Sequence, residues 1–247
     1  MNLNKLAQEY HNSDFIKDDP VQFPHLYSKK TDIEISAFIS CWIAYGARTQ
    51  IIKTLNKIHQ DFNGNPTNYI KERKYSIFEN NEECLYRFYK NKDFFQLCET
   101  LHNIYFAKDN PYPSLENKIK DLLKTNTPTA LEVLETIIQL FPNQNGIPQN
   151  TKSACKRLCL FLRWMVRKDS PVDFGIWNIL PLEELIIPLD THVFRISKEL
   201  GLTTRKQADM QTAIQITEKL KITFPDDPLL GDYALFGYGV KHQEKTK

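Results

Sequence analysis

Apolar residues recur along most of this chain three and four positions apart, the spacing that lines one face of an α-helix. That spacing predicts a short helix over 3–10. DFIKDDPVQFPHLY follows, with two prolines and no steady period, and reads as an irregular packed connection. Thr31 with Glu34 reads as a capping box opening the next helix, which Ile35, Phe38, Ile39, Trp42 and Ile43 continue as a stripe. Tyr45-Gly46-Ala47-Arg48 breaks the stripe. Ile51, Leu55, Ile58 and Phe62 define another helix, stopped by Asn63-Gly64-Asn65-Pro66.

Residues 69–106 are rich in aromatics and cations, as in YRFYKNKDFF. Such interleaving can stack bases and hold phosphates. In a helical protein the weightier reading is core packing with solvated charged heads. Further helices are expected over 115–124 and 129–141, with Pro128 near the first turn of the second. PNQNGIPQNTKS, 142–153, reads as a helix-to-helix hairpin. From Lys152 to about Lys168 one helix is expected. Its Lys152, Lys156, Arg163 and Arg167 fall within roughly 60° of one another, while Cys155, Leu158, Cys159, Phe161, Leu162, Met165 and Val166 supply its apolar side. A short helix over 171–177, a proline-bearing loop over 179–189, and helices over 191–200, 206–222 and 228–238 complete the chain, Gly201 ending the first of those three. With about ten helices and no convincing strand, the fold class is all-α.

Composition adds limits more than direction. The 247 residues are 41% hydrophobic and 25% charged, ordinary for a globular protein and enough for a sizeable core. Only 8 glycines are present, which favours helices, and a net charge of +2 gives no bulk argument for a nucleic-acid partner. No apolar run approaches the roughly 18 residues of a membrane span. With no charged-then-apolar opening segment, the expectation is a cytoplasmic protein without a membrane partner. The five cysteines are scattered, and Cys155 and Cys159 lack the further pair a zinc or iron–sulfur site needs, so they read as core thiols. The six histidines show no metal spacing. No metal and no cofactor are expected.

Asp190 precedes an amphipathic run, where a carboxylate either caps a helix or serves chemistry; the two roles are compatible. Arg163 and Arg167 are either phosphate contacts or ion-pair partners for acids elsewhere. His192 reads as a locally bonded helix-start residue and Trp164 as a core-boundary one.

Three segments resemble the helix-hairpin-helix DNA glycosylase superfamily of endonuclease III and 8-oxoguanine glycosylase types. LDTHVFRISKELGL, 189–202, is similar to its V-D-T-H-x-x-R-V/I segment, whose Asp is the catalytic carboxylate and matches Asp190. The hairpin with the basic helix resembles the part that carries a nucleophilic lysine in bifunctional members, matching Lys156 in SACKRL, with Lys152 as the fallback. FISCWIAYGARTQIIKTLNKI, 38–58, resembles the early helix–turn–helix whose turn enters the duplex, with Tyr45, Arg48 and Gln50 in that turn. SACKRLCLFLRWMVRKDSPVDFGIW, IIPLDTHVFRISKELGL and DYALFGYGV together also resemble an uncharacterised bacterial family over essentially the whole chain. The superfamily's L-P-G-V/I-G hairpin is reduced here to Asn145-Gly146-Ile147-Pro148, and the 156-to-190 interval is closer to archaeal 8-oxoguanine glycosylases. No terminal four-cysteine cluster is present, which excludes the iron–sulfur variety.

The resemblance implies two helical lobes, 31–168 and 1–30 plus 169–247, with Lys156 facing Asp190. It implies excision of a damaged base from duplex DNA, an oxidised purine being the leading class, by a monomer. Lys156 would attack as a neutral amine and form a Schiff base, Asp190 would stabilise the developing sugar cation, and Phe174 and Trp177 would stack on the flipped base. Lys152, Arg157, Arg163, Arg167, Arg48 and Gln50 would hold the nucleic acid. The alternative is a non-catalytic nucleic-acid-binding helical module that kept the fold without the reaction.

Overall fold

The computed structural model describes residues 2–109 and 111–243. Eleven α-helices and one two-stranded ribbon are present among them, so the chain is all-α. No helix among the described residues is long and apolar enough to cross a membrane. The chain forms two compact units. One comprises 1–17, 127–134 and 150–247, the other 18–126 and 135–149. The division falls within α7 (Ala130–Leu140).

The second unit is built on α2 (Lys30–Ile43), in which every residue from Asp32 onward is buried. Ile35, Phe38, Ile39, Trp42 and Ile43 are the expected stripe, and Phe38 stacks on Phe141 with centroids 4.5 Å apart. The two acids of α2 are buried because each has a fixed donor. Glu34 accepts from Tyr105 Oη at 2.8 Å and Leu115 N at 3.0 Å, and Asp32 accepts from Thr67 N at 2.8 Å. The expected Thr31–Glu34 capping box is therefore absent: Lys29 is the N-cap, without a side-chain bond, and Glu34 is spoken for by α5 (Asn91–Phe106) and α6 (Leu115–Leu122). Helix α3 (Arg48–Phe62) ends at Asn63, in left-handed conformation. The short α4 (Pro66–Lys71) follows, capped by Asn65.

Aromatics of 69–106 are mostly core: Tyr69, Tyr75, Tyr86, Tyr89, Phe94 and Tyr105 are each at most 5% exposed. One expectation fails here. β1 (Cys84–Tyr86) and β2 (Tyr89–Lys90) form an antiparallel hairpin. Its strands of three and two residues are too short to show a period of two, though Tyr suits a half-buried strand.

The first unit joins α1 (Leu3–Tyr10) to α8 (Lys156–Val166), α9 (Thr191–Glu199), α10 (Met210–Lys221) and α11 (Leu230–Gln243). Leu6 and Ala7 of α1 pack with Phe224 and Ala234. A Cβ on Gly237 would stand 2.2 Å from the Tyr10 ring, so this α1–α11 approach needs glycine there.

Helix α8 is shorter than the expected 152–168. Cys155 sits at φ +46°, outside the helical region, and Ser153 pairs as an isolated bridge with Asp209. Lys152 therefore lies in a turn rather than on the helix. From Leu158 to Val166 every residue is buried. The expected helix over 171–177 is replaced by an irregular segment. Its N–H groups serve other acceptors: Val172 N and Asp173 N donate to Ser170 Oγ, Phe174 N to Trp164 O, and Trp177 N to Met165 O.

Candidate active site

Lys156 is the first residue of α8 and is half-buried. Asp190 is the N-cap of α9. Its backbone is extended, and its Oδ1 accepts from both His192 N and Val193 N at 2.9 Å. Such a cap satisfies donors that the helix leaves open. It is made through one carboxylate oxygen, which leaves Oδ2 outside the cap. His192 is exposed and enters only through its backbone in this cap.

A third group joins these two. Asp232 lies in the first turn of α11, its side chain 14% exposed and bonded to Arg163 Nη1. Burial pushes its carboxyl up to about 6, while the Arg163 cation opposes that rise. The Asp190 carboxylate also raises it and the Lys156 ammonium lowers it. Lys156, Asp190 and Asp232 all belong to the first unit, and the charges of the first two reach the carboxyl of the third. DYALFGYGV was a legible segment, but nothing in its spacing singles out its aspartate. An acid in a helix first turn is the one signal it offers.

Arg163 and Arg167 are not available to phosphate. Arg163 is 2% exposed and Arg167 1%. Arg163 Nε bonds Asp173 Oδ1 at 3.2 Å, and Arg167 Nη1 bonds Asp173 Oδ2 at 2.8 Å. Arg167 also holds Asp227 at 2.7 Å, Ser170 Oγ at 2.9 Å and His11 Nε2 at 2.9 Å. Tyr233 Oη donates to Asp173 Oδ2 at 3.1 Å, and both guanidiniums lie over the Tyr233 ring. Of the two roles open to these arginines, ion pairing is the one realised. The arginine end of the cationic line expected on this helix is buried because its counter-ions come from 173, 227 and 232, too far along the chain for the wheel to register.

Trp177 cannot stack on a flipped base either. It is 0% exposed and packs edge-on against Phe161 at 5.2 Å. Phe174 is half-buried. Trp164 is fully buried rather than at the core boundary. Lys152 is exposed, its carbonyl accepting from Met210 N at 3.3 Å, and Arg157 is half-buried. Arg48 and Gln50 are exposed in the first turn of α3. Cys155 and Cys159 are buried thiols, and burial raises both their pKa values. Among the described residues no three His, Cys, Asp or Glu side chains converge in a way that could hold a metal ion.

In the second unit the turn at 144–146 is fixed by side chains. Trp42 Nε1 donates to Asn145 O at 2.7 Å, Gln144 Nε2 to Asp93 O at 2.9 Å, and Asn145 Nδ2 to Asp93 Oδ2 at 3.0 Å. Gly146 is at φ +85°, and a Cβ there would stand 2.1 Å from Tyr89 Oη. One glycine is what this close approach demands.

No curated protein and no solved structure matches the chain. The family model described as "Protein of unknown function (DUF2400)" matches residues 19–241, which covers α2 through most of α11 with Lys156, Asp190 and Asp232, and the chain belongs to that family.

Proposed function

We propose that the protein is a DNA glycosylase with lyase activity, in which Lys156 is the nucleophile and Asp190 the essential carboxylate. One observation carries this reading: the lysine that opens α8 and the aspartate that caps α9 lie in one compact unit, the aspartate capping through only one of its carboxylate oxygens. The resemblance of 189–202 to the glycosylase segment supports it independently.

Attack of the Lys156 amine lone pair on the anomeric carbon breaks the glycosidic bond. The departing base takes the bonding electrons and a proton. Loss of the amine proton and opening of the sugar give a Schiff base, from which β-elimination breaks the 3′ carbon–oxygen bond. Asp190 stabilises the positive charge that builds on the sugar. Asp232, with its carboxyl held near neutrality, is suited to take the proton that Lys156 must lose before it attacks. The substrate is a damaged base, with oxidised purines the leading class.

The test is incubation with lesion-bearing duplexes and borohydride, which reduces a Schiff base to a permanent adduct. An adduct on Lys156, lost in Lys156→Ala, is expected. Absence of any adduct, or one unchanged by that substitution, removes the lyase assignment. Salt-sensitive binding without turnover would leave the non-catalytic binding module.

A further inference from the structure

The tip of the β1–β2 hairpin carries an arrangement that core packing does not explain. The neighbouring aromatics of this stretch are buried, whereas Phe88 is 77% exposed. The other large apolar side chains exposed among the described residues, Leu26, Ile77, Leu122 and Ile222, are aliphatic. Tyr86 pairs with Tyr89, so Arg87 and Phe88 form the turn itself. Arg87 stands at φ +53°, a conformation that side-chain-bearing residues rarely adopt and that glycine would adopt freely.

The backbone that carries the exposed ring is anchored on both sides. Phe88 N donates to Tyr45 Oη at 3.4 Å, and Phe88 O accepts from Asn145 Nδ2 at 3.2 Å. Tyr86 Oη donates to Tyr45 O, and the Tyr45 ring meets the Tyr86 and Tyr89 rings edge-on, each at 5.2 Å. The Arg87 guanidinium lies 5.3 Å from the Tyr45 centroid and 5.7 Å from that of Phe88. Gly46 makes room for it, because a Cβ there would stand 2.6 Å from Arg87 Nη1.

We propose that Phe88, with Arg87 and Tyr45, is a stacking platform for an unpaired nucleobase, Arg87 pairing with the adjoining phosphate. The proposal rests on the reading of the protein as one that acts on nucleic acid. Charge chooses the occupant: the Arg87 guanidinium sits at the tip beside the exposed ring, and the nearby Glu82 is neutralised by Lys90 and Lys92. A single braced ring offers little area to an apolar protein partner, but a whole face to a base, and every base has one. Because the mount is already ordered, binding immobilises little on the protein side.

The test uses the full chain and DNA carrying 2-aminopurine as an unpaired base, in a bulged duplex and in a single strand. Wild type is expected to bind and quench the probe. Phe88→Ala should weaken binding roughly five- to a hundred-fold, the range that base–aromatic stacking spans on truncation, and abolish the quench. Phe88→Tyr should restore both. Arg87→Gln should lower the slope of log affinity against log salt by about one. Thermal melting of Phe88→Ala should match wild type, since the ring is solvated. Equal binding and quenching by wild type and Phe88→Ala overturn the platform, as does failure of wild type to bind any unpaired-base probe. A Lys156 adduct with a Phe88-independent quench keeps the proposed function and removes the platform. A Phe88-dependent quench without that adduct does the reverse.

Discussion

Replacing Arg167 by methionine keeps most of the side chain's length and removes its charge. Arg167 is 1% exposed and bonds two aspartates, one serine and one histidine, so the substitution strips several buried acceptors at once. Asp173, itself 0% exposed at its side chain, would keep Arg163, Ser170 and Tyr233 but lose its nearer cation. Removing one partner of a buried pair typically costs about 3–5 kcal/mol, because the remaining charge stays desolvated. At about 2–4 °C per kcal/mol for a chain of this size, melting should fall by roughly 6–20 °C. The pH dependence adds a second signature. Burial, then the Arg167 cation, hold His11 down to about 4 from 6.5, against the pull of Asp173 and Asp227. A depressed histidine contributes stability that is complete above its unfolded pKa and lost as pH falls toward the folded one. Without Arg167 only burial and the weaker effect of Arg163 oppose the two aspartates, so His11 accepts a proton more readily. The gap between wild type and Arg167→Met should therefore narrow as pH falls from about 7 to about 5. Urea melts at several pH values measure both effects. A loss under about 1 kcal/mol, with weaker and less salt-dependent DNA binding, would refute the structural role and restore the phosphate-contact one.

His59 is 7% exposed, shares a hydrogen bond with Tyr27 Oη at 2.9 Å, and is held down to about 3 by burial. The second unit should lose stability as pH falls from about 6.5 toward 3, and His59→Gln should flatten that loss in circular-dichroism titrations. An unchanged slope would contradict the assignment. Gly146→Ala combines positive φ with a clash against Tyr89 Oη and Trp42 Nε1, and should cost about 1–3 kcal/mol, read by denaturant melts. A loss of a few tenths would show that the hairpin relaxes freely. Asp190→Asn can still cap α9 and should melt within a degree or two of wild type, by about the small cap difference expected. Base excision should fall by orders of magnitude; retained excision would assign Asp190 to capping alone.

Amphipathic helices were legible because burial of one face writes itself into the spacing of apolar residues. Helix α1 occupies its expected residues, and α3 ends at the expected Asn63. Where tertiary contacts outrank local pattern, the spacing misleads. Thr31 and Glu34 have capping-box spacing, yet Tyr105 and Leu115 claim the glutamate. Arg163 and Arg167 share a helical face with Lys156, yet the two arginines meet aspartates from three later positions and are buried with them. A wheel reports which residues share a side, not whether that side is wet. Asp190 was legible as a cap from its place alone, while Asp232 gains its meaning from Arg163, Asp190 and Lys156.

Helix α1 packs against α11, so the first unit cannot close until α11 has left the ribosome. The intervening 18–126 and 135–149 can meanwhile collapse around α2 from contacts of much shorter sequence separation. During synthesis the apolar face of α1, Leu3, Leu6, Ala7 and Tyr10, must wait unburied for its docking surface. Chaperone dependence of a nascent chain halted near residue 150 would therefore centre on that leading segment.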